Sequence, residues 1–182
     1  MEHAMVDLET LGQRPGCSIL SIGAVAFDQR RGLGTEFYVV VNRESCKVAG
    51  LHEDESTLRW WGGQSQEAAQ VLKDAETGVP LGDALEQFTK FLAATASLAQ
   101  IKVWGNGSDF DNAILACAYA AIGRDLPWKF WNNRCYRTVK SFHPEVKINR
   151  AAGVHHNALF DAKNQADHLL RMLRPVRALS AI

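Results

Sequence analysis

The sequence predicts an α/β fold, a mixed sheet with helices packed on it. Three observations carry this. The first third alternates runs rich in β-branched residues with short turns, the middle is apolar at helical spacing, and a further strand and helices follow.

The elements read in order as follows. Residues 4–11 form the first strand, and Gln13-Arg14-Pro15-Gly16 is a turn signal. Residues 18–28, rich in Ile and Val, form the second. Arg30-Arg31-Gly32 turns the chain into a third strand over 36–41. Turns this short suggest an antiparallel meander. Short helices follow over 56–61 and 67–72, and Leu85, Phe88, Phe91 and Leu92 place a longer one over about 82–95. A fourth strand over 101–104 ends at Gly105, and a helix over 109–122 is ended by Gly123. Residues 133–139 are read as a fifth strand leading into a short helix. The last helix, over about 157–173, buries Ala162, Ala166, Leu169, Leu170 and Leu173, and Pro175 ends it.

A chain of 182 residues supports one domain, expected to span 1–182. No apolar run approaches the ~20 residues of a membrane span, so no membrane association is expected. There is no basic segment leading into an apolar core with a cleavage site, and the expected compartment is the cytoplasm. Six residues precede Asp7, so no accessory domain is expected ahead of it. Cys17, Cys46, Cys117 and Cys135 are widely spaced with no CxxC pair, which argues against a zinc knuckle and gives no disulfide framework. The formal charge is zero, so any hold on nucleic acid rests on local patches. Basic residues gather at Lys129, Arg134, Arg137, Lys140, Lys147 and Arg150.

The chemistry-bearing residues begin with Asp7 and Glu9. On a strand, Met5, Asp7 and Glu9 share one face, which sets two like charges side by side in an apolar run. One must take up a proton or a cation must come between them. Asp111 follows a strand end and the Gly-rich turn Gly105-Asn106-Gly107, where Ser108 or Asp109 can cap the helix. Asp161 borders the buried stripe of the last helix and needs a partner there. His156 precedes it by five residues. Hard oxygen ligands select Mg²⁺ or Mn²⁺ over zinc. Two such ions roughly 4 Å apart suit in-line displacement at phosphorus.

At these residues the sequence resembles the DEDDh, or DnaQ-like, 3′–5′ exonucleases. The matching segments are D-L-E-T at 7–10, G-N-G-S-D-F-D at 105–111 and H-N-A-L-F-D-A at 156–162. The family's last motif is H, four residues, then D, which His156 and Asp161 fit and His155 does not. A closer likeness covers nearly the whole chain. T-L-R-W-W-G-G-Q-S-Q-E-A at 57–68, W-G-N-G-S-D-F-D-N-A-I-L at 104–115, P-W-K-F-W-N-N-R at 127–134 and Y-R-T-V at 136–139 look like the branch with a mycobacterial 3′–5′ exoribonuclease and phage exonuclease A proteins. Phe160 and Cys135 stand where members often carry acidic residues.

The resemblance implies a ribonuclease-H-like fold, with a five-stranded mixed sheet whose first three strands are antiparallel. It implies a metal-dependent 3′–5′ exonuclease on single-stranded RNA or DNA, or on 3′ overhangs, releasing 5′ mononucleotides. Asp7, Glu9, Asp111 and Asp161 would hold two Mg²⁺ or Mn²⁺ ions, and His156 would accept the proton of the attacking water. Leu8, Thr10 and Leu11 lie in the segment that contacts the terminal nucleotide in the family. Of the adjacent Trp60 and Trp61, pointing about 100° apart on a helix, at most one is core, and Trp61 is taken as the cleft residue. Phe110 is a candidate base or sugar contact, and Asn106, Arg137 and Asn157 are candidate phosphate or sugar contacts. Relatives suggest a homodimer. Two alternatives stand beside this reading: a dinucleotide phosphodiesterase with a shorter cleft, and a non-catalytic nucleic-acid-binding module.

Overall fold

The computed structural model describes residues 1–149 and 157–173. Strands β1 His3–Thr10, β2 Ile19–Asp28, β3 Gly32–Val40, β4 Lys102–Gly105 and β5 Asn133–Cys135 form one sheet in the order β3-β2-β1-β4-β5. β2 pairs antiparallel with both β1 and β3, while β4 runs parallel to β1 and to β5. The five-stranded mixed sheet is therefore as expected.

The meander differs in one detail. β3 starts at Gly32 instead of 36, because pairing with β2 continues to Asp28 opposite Gly32. The turn is closed by the Asp28 carboxylate, which accepts the backbone N–H groups of Arg30 and Arg31 at 2.9 and 2.7 Å. Edge position leaves most of β3 half-exposed, which hides its first residues from a search for apolar runs.

The helices are α1 Arg43–Val48, α2 Glu55–Gly62, α3 Gln66–Asp74, α4 Leu81–Thr95, α5 Ala113–Ala121, α6 Tyr136–Phe142 and α7 Ala158–Met172. Sequence periodicity does not announce α1, since Cys46 is its buried residue. It rests instead on Asn42, whose side chain accepts the Ser45 N–H at 2.8 Å. The helix expected over 109–122 begins with one turn of π-helix, Ser108–Asn112, before α5. Neither Ser108 nor Asp109 caps it, because Gly107 occupies the cap position at φ +121° with no side-chain bond. β5 is only three residues long, and Tyr136 already opens α6.

Alternation along β1 sorts its side chains between two cores. Ala4, Val6 and Leu8 enter the cluster under α4 and α5, with Leu85, Phe88, Ile114 and Leu115. Met5 enters the opposite cluster, under Ala162, Ala166 and Leu169 of α7. Asp7 and Glu9 continue the Met5 row toward the strand's end. A register shift against β2 falls between Glu9 and Thr10. Beyond it Leu11 joins a third cluster with Leu20, Trp61, Val71 and Ala75.

Gly23 sets how near α7 approaches. It faces Asp7 across the β1–β2 ladder. A Cβ there would overlap the Ala158 carbonyl carbon and the Leu159 nitrogen. The first turn of α7 thus lies directly on bare backbone, beside Asp7. Among the described residues no helix is long and apolar enough to cross a membrane.

Candidate active site

One carboxylate oxygen each from Asp7, Glu9 and Asp161 lie within 4.8 Å of one another. β1 supplies the first two, and the first turn of α7 supplies the third. Gln165 stands one helical turn after Asp161, and its Nε2 donates to Asp7 Oδ1 at 2.8 Å. The amide therefore fixes the Asp7 carboxylate toward α7. Sequence reasoning does not single out Gln165, although the i, i+4 spacing from Asp161 puts it on the same face.

Asp111 is 2% exposed and stands beside this trio. Its Oδ2 accepts the Asn106 N–H at 2.8 Å, and the Leu8 backbone N–H also points at its carboxylate. The Gly-rich turn makes this possible. A Cβ on Gly105 would come within 2.9 Å of the Asp111 Cβ and 2.8 Å of its Oδ2. Arg137 ties the same turn down by donating to the Asn106 carbonyl at 2.6 Å.

The electrostatics follow from the crowding. Burial, then the charges of Asp111, Glu9 and Asp161, push the Asp7 carboxyl well above the usual carboxylate range, and the Gln165 bond opposes them. Burial, then Asp161 and Asp111, push Glu9 up to about 8. Burial pushes Asp111 up to about 7, against the pull of its amide donors and of Arg137. These groups cannot all ionise at neutral pH without a compensating cation. Acceptor-only oxygens around one point fit a hard divalent ion.

A cleft of about 330 Å³ opens beside the carboxylates, with Glu9, Thr10, Thr57, Trp60 and Phe110 among its walls. That volume falls in the usual range for a small-ligand site, roughly 300–1,000 Å³.

The family model for the 3′-5′ exoribonuclease Rv2179c-like domain matches residues 2–173. The chain belongs to this family. It is 27% identical over 156 residues to the exodeoxyribonuclease of Enterobacteria phage T4, covering 74% of this chain and 68% of that relative. The nuclease domain of 3′hExo, a DEDDh family member bound to rAMP, superposes with a TM-score of 0.64 at 14% identity, over 94% of this chain and 90% of that one. Exonuclease X, in complex with 5′ overhanging duplex DNA, gives 0.57 at 13% identity, over 93% and 90%. Cell-death related nuclease 4 gives 0.62 at 14% identity, over 93% of this chain and 62% of that one, so the chain spans less than two thirds of that nuclease. At such identities the structural likeness shows the fold, and that fold is the ribonuclease-H-like α/β sheet of DEDDh exonucleases.

With the Rv2179c-like fold in place, the sequence-predicted site residues can be located. Asp7, Glu9 and Asp161 converge, with Asp111 against them. His156 lies outside the described residues. Phe110 is half-buried and lines the cleft. Leu8 and Thr10 are buried with an edge on the cleft. Asn106 and Arg137 hold the turn under Asp111, and Asn157 Oδ1 accepts the Phe160 N–H at 3.1 Å as the cap of α7.

One expectation needs correction. Leu11 is fully buried, because the register shift after Glu9 turns it into the third core cluster, away from the cleft. Trp61 lines the cleft together with Trp60, though it is 1% exposed whereas Trp60 is 45% exposed. Thr57 and Trp61, one helical turn apart, face inward together, and the Trp61 indole N–H donates to the Thr10 carbonyl at 3.0 Å. Trp61 therefore braces the carboxylate strand, and the more accessible ring at the cleft is Trp60.

The basic residues are mostly committed locally. Arg134 donates to the Trp131 and Asn133 carbonyls, and Lys147 to the Pro144 carbonyl. Lys129 lies over the Trp131 ring and Lys140 over the Tyr136 ring. Arg137 is the one among the described members of this group that reaches the site, and Arg150 lies outside the described residues.

Proposed function

We propose that the protein is a metal-dependent 3′–5′ exonuclease, hydrolysing phosphodiester bonds from the 3′ end of single-stranded nucleic acid or a 3′ overhang and releasing 5′ mononucleotides. The observation that carries this is the convergence of Asp7, Glu9 and Asp161 oxygens within 4.8 Å, next to a cleft of about 330 Å³ that Glu9 lines. Asp7, Glu9, Asp161 and Asp111 would hold two Mg²⁺ or Mn²⁺ ions. Bound there, such ions supply Lewis-acid activation of water and neutralise the charge that develops on the phosphate.

The chain's own residues do the rest. Gln165 keeps Asp7 turned toward α7. His156, five residues before Asp161 in the motif, accepts the proton of the attacking water, a role that a neutral imidazole can fill. Phe110 and Trp60 offer ring surface to the terminal base, a contact that any base can make. The Arg137 guanidinium favours the ionised form of Asp111 against its burial, and its own positive charge offsets part of the negative charge that an incoming phosphate meets.

A matched digestion tests this reading. End-labelled single-stranded RNA and DNA of ten nucleotides, and a dinucleotide, are incubated with Mg²⁺, Mn²⁺ or EDTA. The expected result is stepwise shortening from the 3′ end of the longer strands, with 5′ mononucleotide products, stopped by EDTA. Cleavage of the dinucleotide alone would point to a small-molecule phosphodiesterase. Binding without cleavage under both metals would point to a binding module.

A further inference from the structure

Residues 126–144 contain no Asp or Glu, yet they carry Lys129, Arg134, Arg137 and Lys140 in a chain whose formal charge is zero. Within this stretch two rings stand in the open, Phe130 at 71% exposure and Trp131 at 61%. Adjacent large rings left this open mark an interaction surface. The fold holds them there. They lie on the 3₁₀ turn Phe130–Asn132, and the turn is pinned on both sides. The buried Trp128 indole N–H donates to Asn133 Oδ1 at 2.7 Å, and the buried Asn132 Nδ2 donates to the Ala99 carbonyl at 3.0 Å. Between these anchors the two rings meet edge to face with centroids 5.1 Å apart, and Lys129 Nζ lies 5.8 Å from the Trp131 centroid. Arg134 donates to the Trp131 and Asn133 carbonyls, which keeps its charge beside the rings. The platform is also fixed to the carboxylate site. Asn133 Oδ1 accepts a second bond, at 3.2 Å, from Nδ2 of Asn112, the residue after Asp111. The turn leads into the edge strand β5, whose Cys135 pairs with Gly105, and Gly105 stands against Asp111.

We propose that Phe130 and Trp131, with Lys129 and Arg134 beside them, form a second binding surface for the substrate strand, stacking bases that lie several nucleotides 5′ of the one being removed. This rests on the exonuclease reading above. Rings for base faces, cations for phosphates and no acid in the stretch fit a single strand of any sequence. A second copy of this chain fits less well, because a two-fold contact would set the same four cations against one another. The reach is short. At most about 13 Å of extended backbone separate Trp131 from Cys135. A stacked strand covers that span in about four nucleotides. A ten-nucleotide strand can therefore touch the carboxylates and the rings together, whereas a dinucleotide in the cleft does not reach the rings.

The test uses the full chain, a labelled ten-nucleotide single strand and the dinucleotide of its 3′ end. The surface variant combines Phe130→Ala with Trp131→Ala. Its binding of the ten-nucleotide strand in EDTA, read by fluorescence anisotropy, is expected to weaken on the order of tenfold, the value of a base stacked on a ring. With Mg²⁺, kcat/KM on that strand should fall by the same factor through KM, with kcat kept, while the dinucleotide rate stays within about twofold of wild type. Lys129→Gln keeps both rings and tests the charge should the double variant not fold. Its slope of log affinity against log salt should be shallower by about 0.7, one phosphate contact. Wild-type binding and salt slope in these variants overturn the proposal. So does an equal loss on the dinucleotide, which would place the effect in the cleft or the fold. A wild-type dimer that the double variant dissociates, read by sedimentation, also overturns it, in favour of a second copy on the rings. A wild type that binds the strand through the rings but shortens nothing supports the surface and defeats the exonuclease reading, an outcome distinct from lost binding.

Discussion

Asp7 is held by one hydrogen bond and crowded by three negative charges, and the behaviour of the site turns on that imbalance. Replacing the amide that steadies it is therefore informative. Gln165→Leu keeps the volume and removes the donor, and it is expected to lower activity at limiting Mg²⁺ roughly 10–100-fold, the usual cost of losing a group that orients a ligand. A Mg²⁺ titration of turnover checks this, and an unchanged curve would remove the orienting role. His156→Ala is expected to cost on the order of 10²–10⁴ in rate. Metal binding, read by calorimetry, should be nearly intact, and wild-type turnover in that variant would assign the proton to another group. The carboxylates and His156 are legible in the sequence because ionisable groups at strand and helix edges stand out against apolar runs. Gln165 is not, since a neutral amide on a helix face carries no such contrast until its partner is known.

At the level of elements, the site is a junction between β1 and the start of α7, and Gly23 of β2 controls its spacing. Gly23→Ala is expected to lift the first turn of α7, carrying Asp161 away from Asp7 and Glu9. Overpacking of this kind costs about 1–3 kcal/mol, and a displacement of about 1 Å at a reacting centre costs on the order of 10² in rate. A thermal melt with a turnover assay would check both, and a fully active Ala variant would show that α7 does not depend on that contact. A second junction anchors α6 and the chain after it. The Tyr136 hydroxyl lies 2.7 Å from His168 Nδ1, and His168 Nε2 lies 2.7 Å from the Val146 carbonyl. With Nε2–H donating to that carbonyl, Nδ1 accepts from the tyrosine. His168→Leu leaves both partners without this bond and is expected to destabilise the fold by about 1–3 kcal/mol in denaturant melts. An unchanged midpoint would mean that the two partners find other bonds.

For the whole molecule, the crowded carboxylates tie stability to pH and to metal. Burial, then the charges of Asp161 and Asp111, push Glu9 up to about 8, and burial pushes Asp111 up to about 7 in the metal-free protein. In the unfolded chain the same groups ionise at the ordinary carboxylate range, near pH 4. Between these limits the folded state holds more protons than the unfolded state, so stability falls as pH rises. The melting temperature in EDTA is therefore expected to decline from pH 5 to pH 8. Added Mg²⁺ or Mn²⁺ binds the folded state and should raise it more at pH 8 than at pH 5. Melts at the two pH values, with and without metal, check the sign, and an EDTA curve that rises toward pH 8 would contradict the crowding.

The sequence alone determined the order of strands and helices, the shared face of Asp7 and Glu9, and the family, because these rest on local periodicity and on motifs contiguous in the chain. It missed α1 and the start of β3, where backbone N–H groups donating to the Asn42 and Asp28 side chains act in place of apolar spacing. Tertiary packing decided the rest. The two tryptophans are equivalent in sequence, and the phase of α2 against β1 buries Trp61 while leaving Trp60 more accessible. Leu11 reads as part of the carboxylate strand until the register shift turns it inward. Gly23 carries no signal of its own. It matters for the start of α7 that rests on it, a neighbour distant in the chain, which a linear reading does not contain.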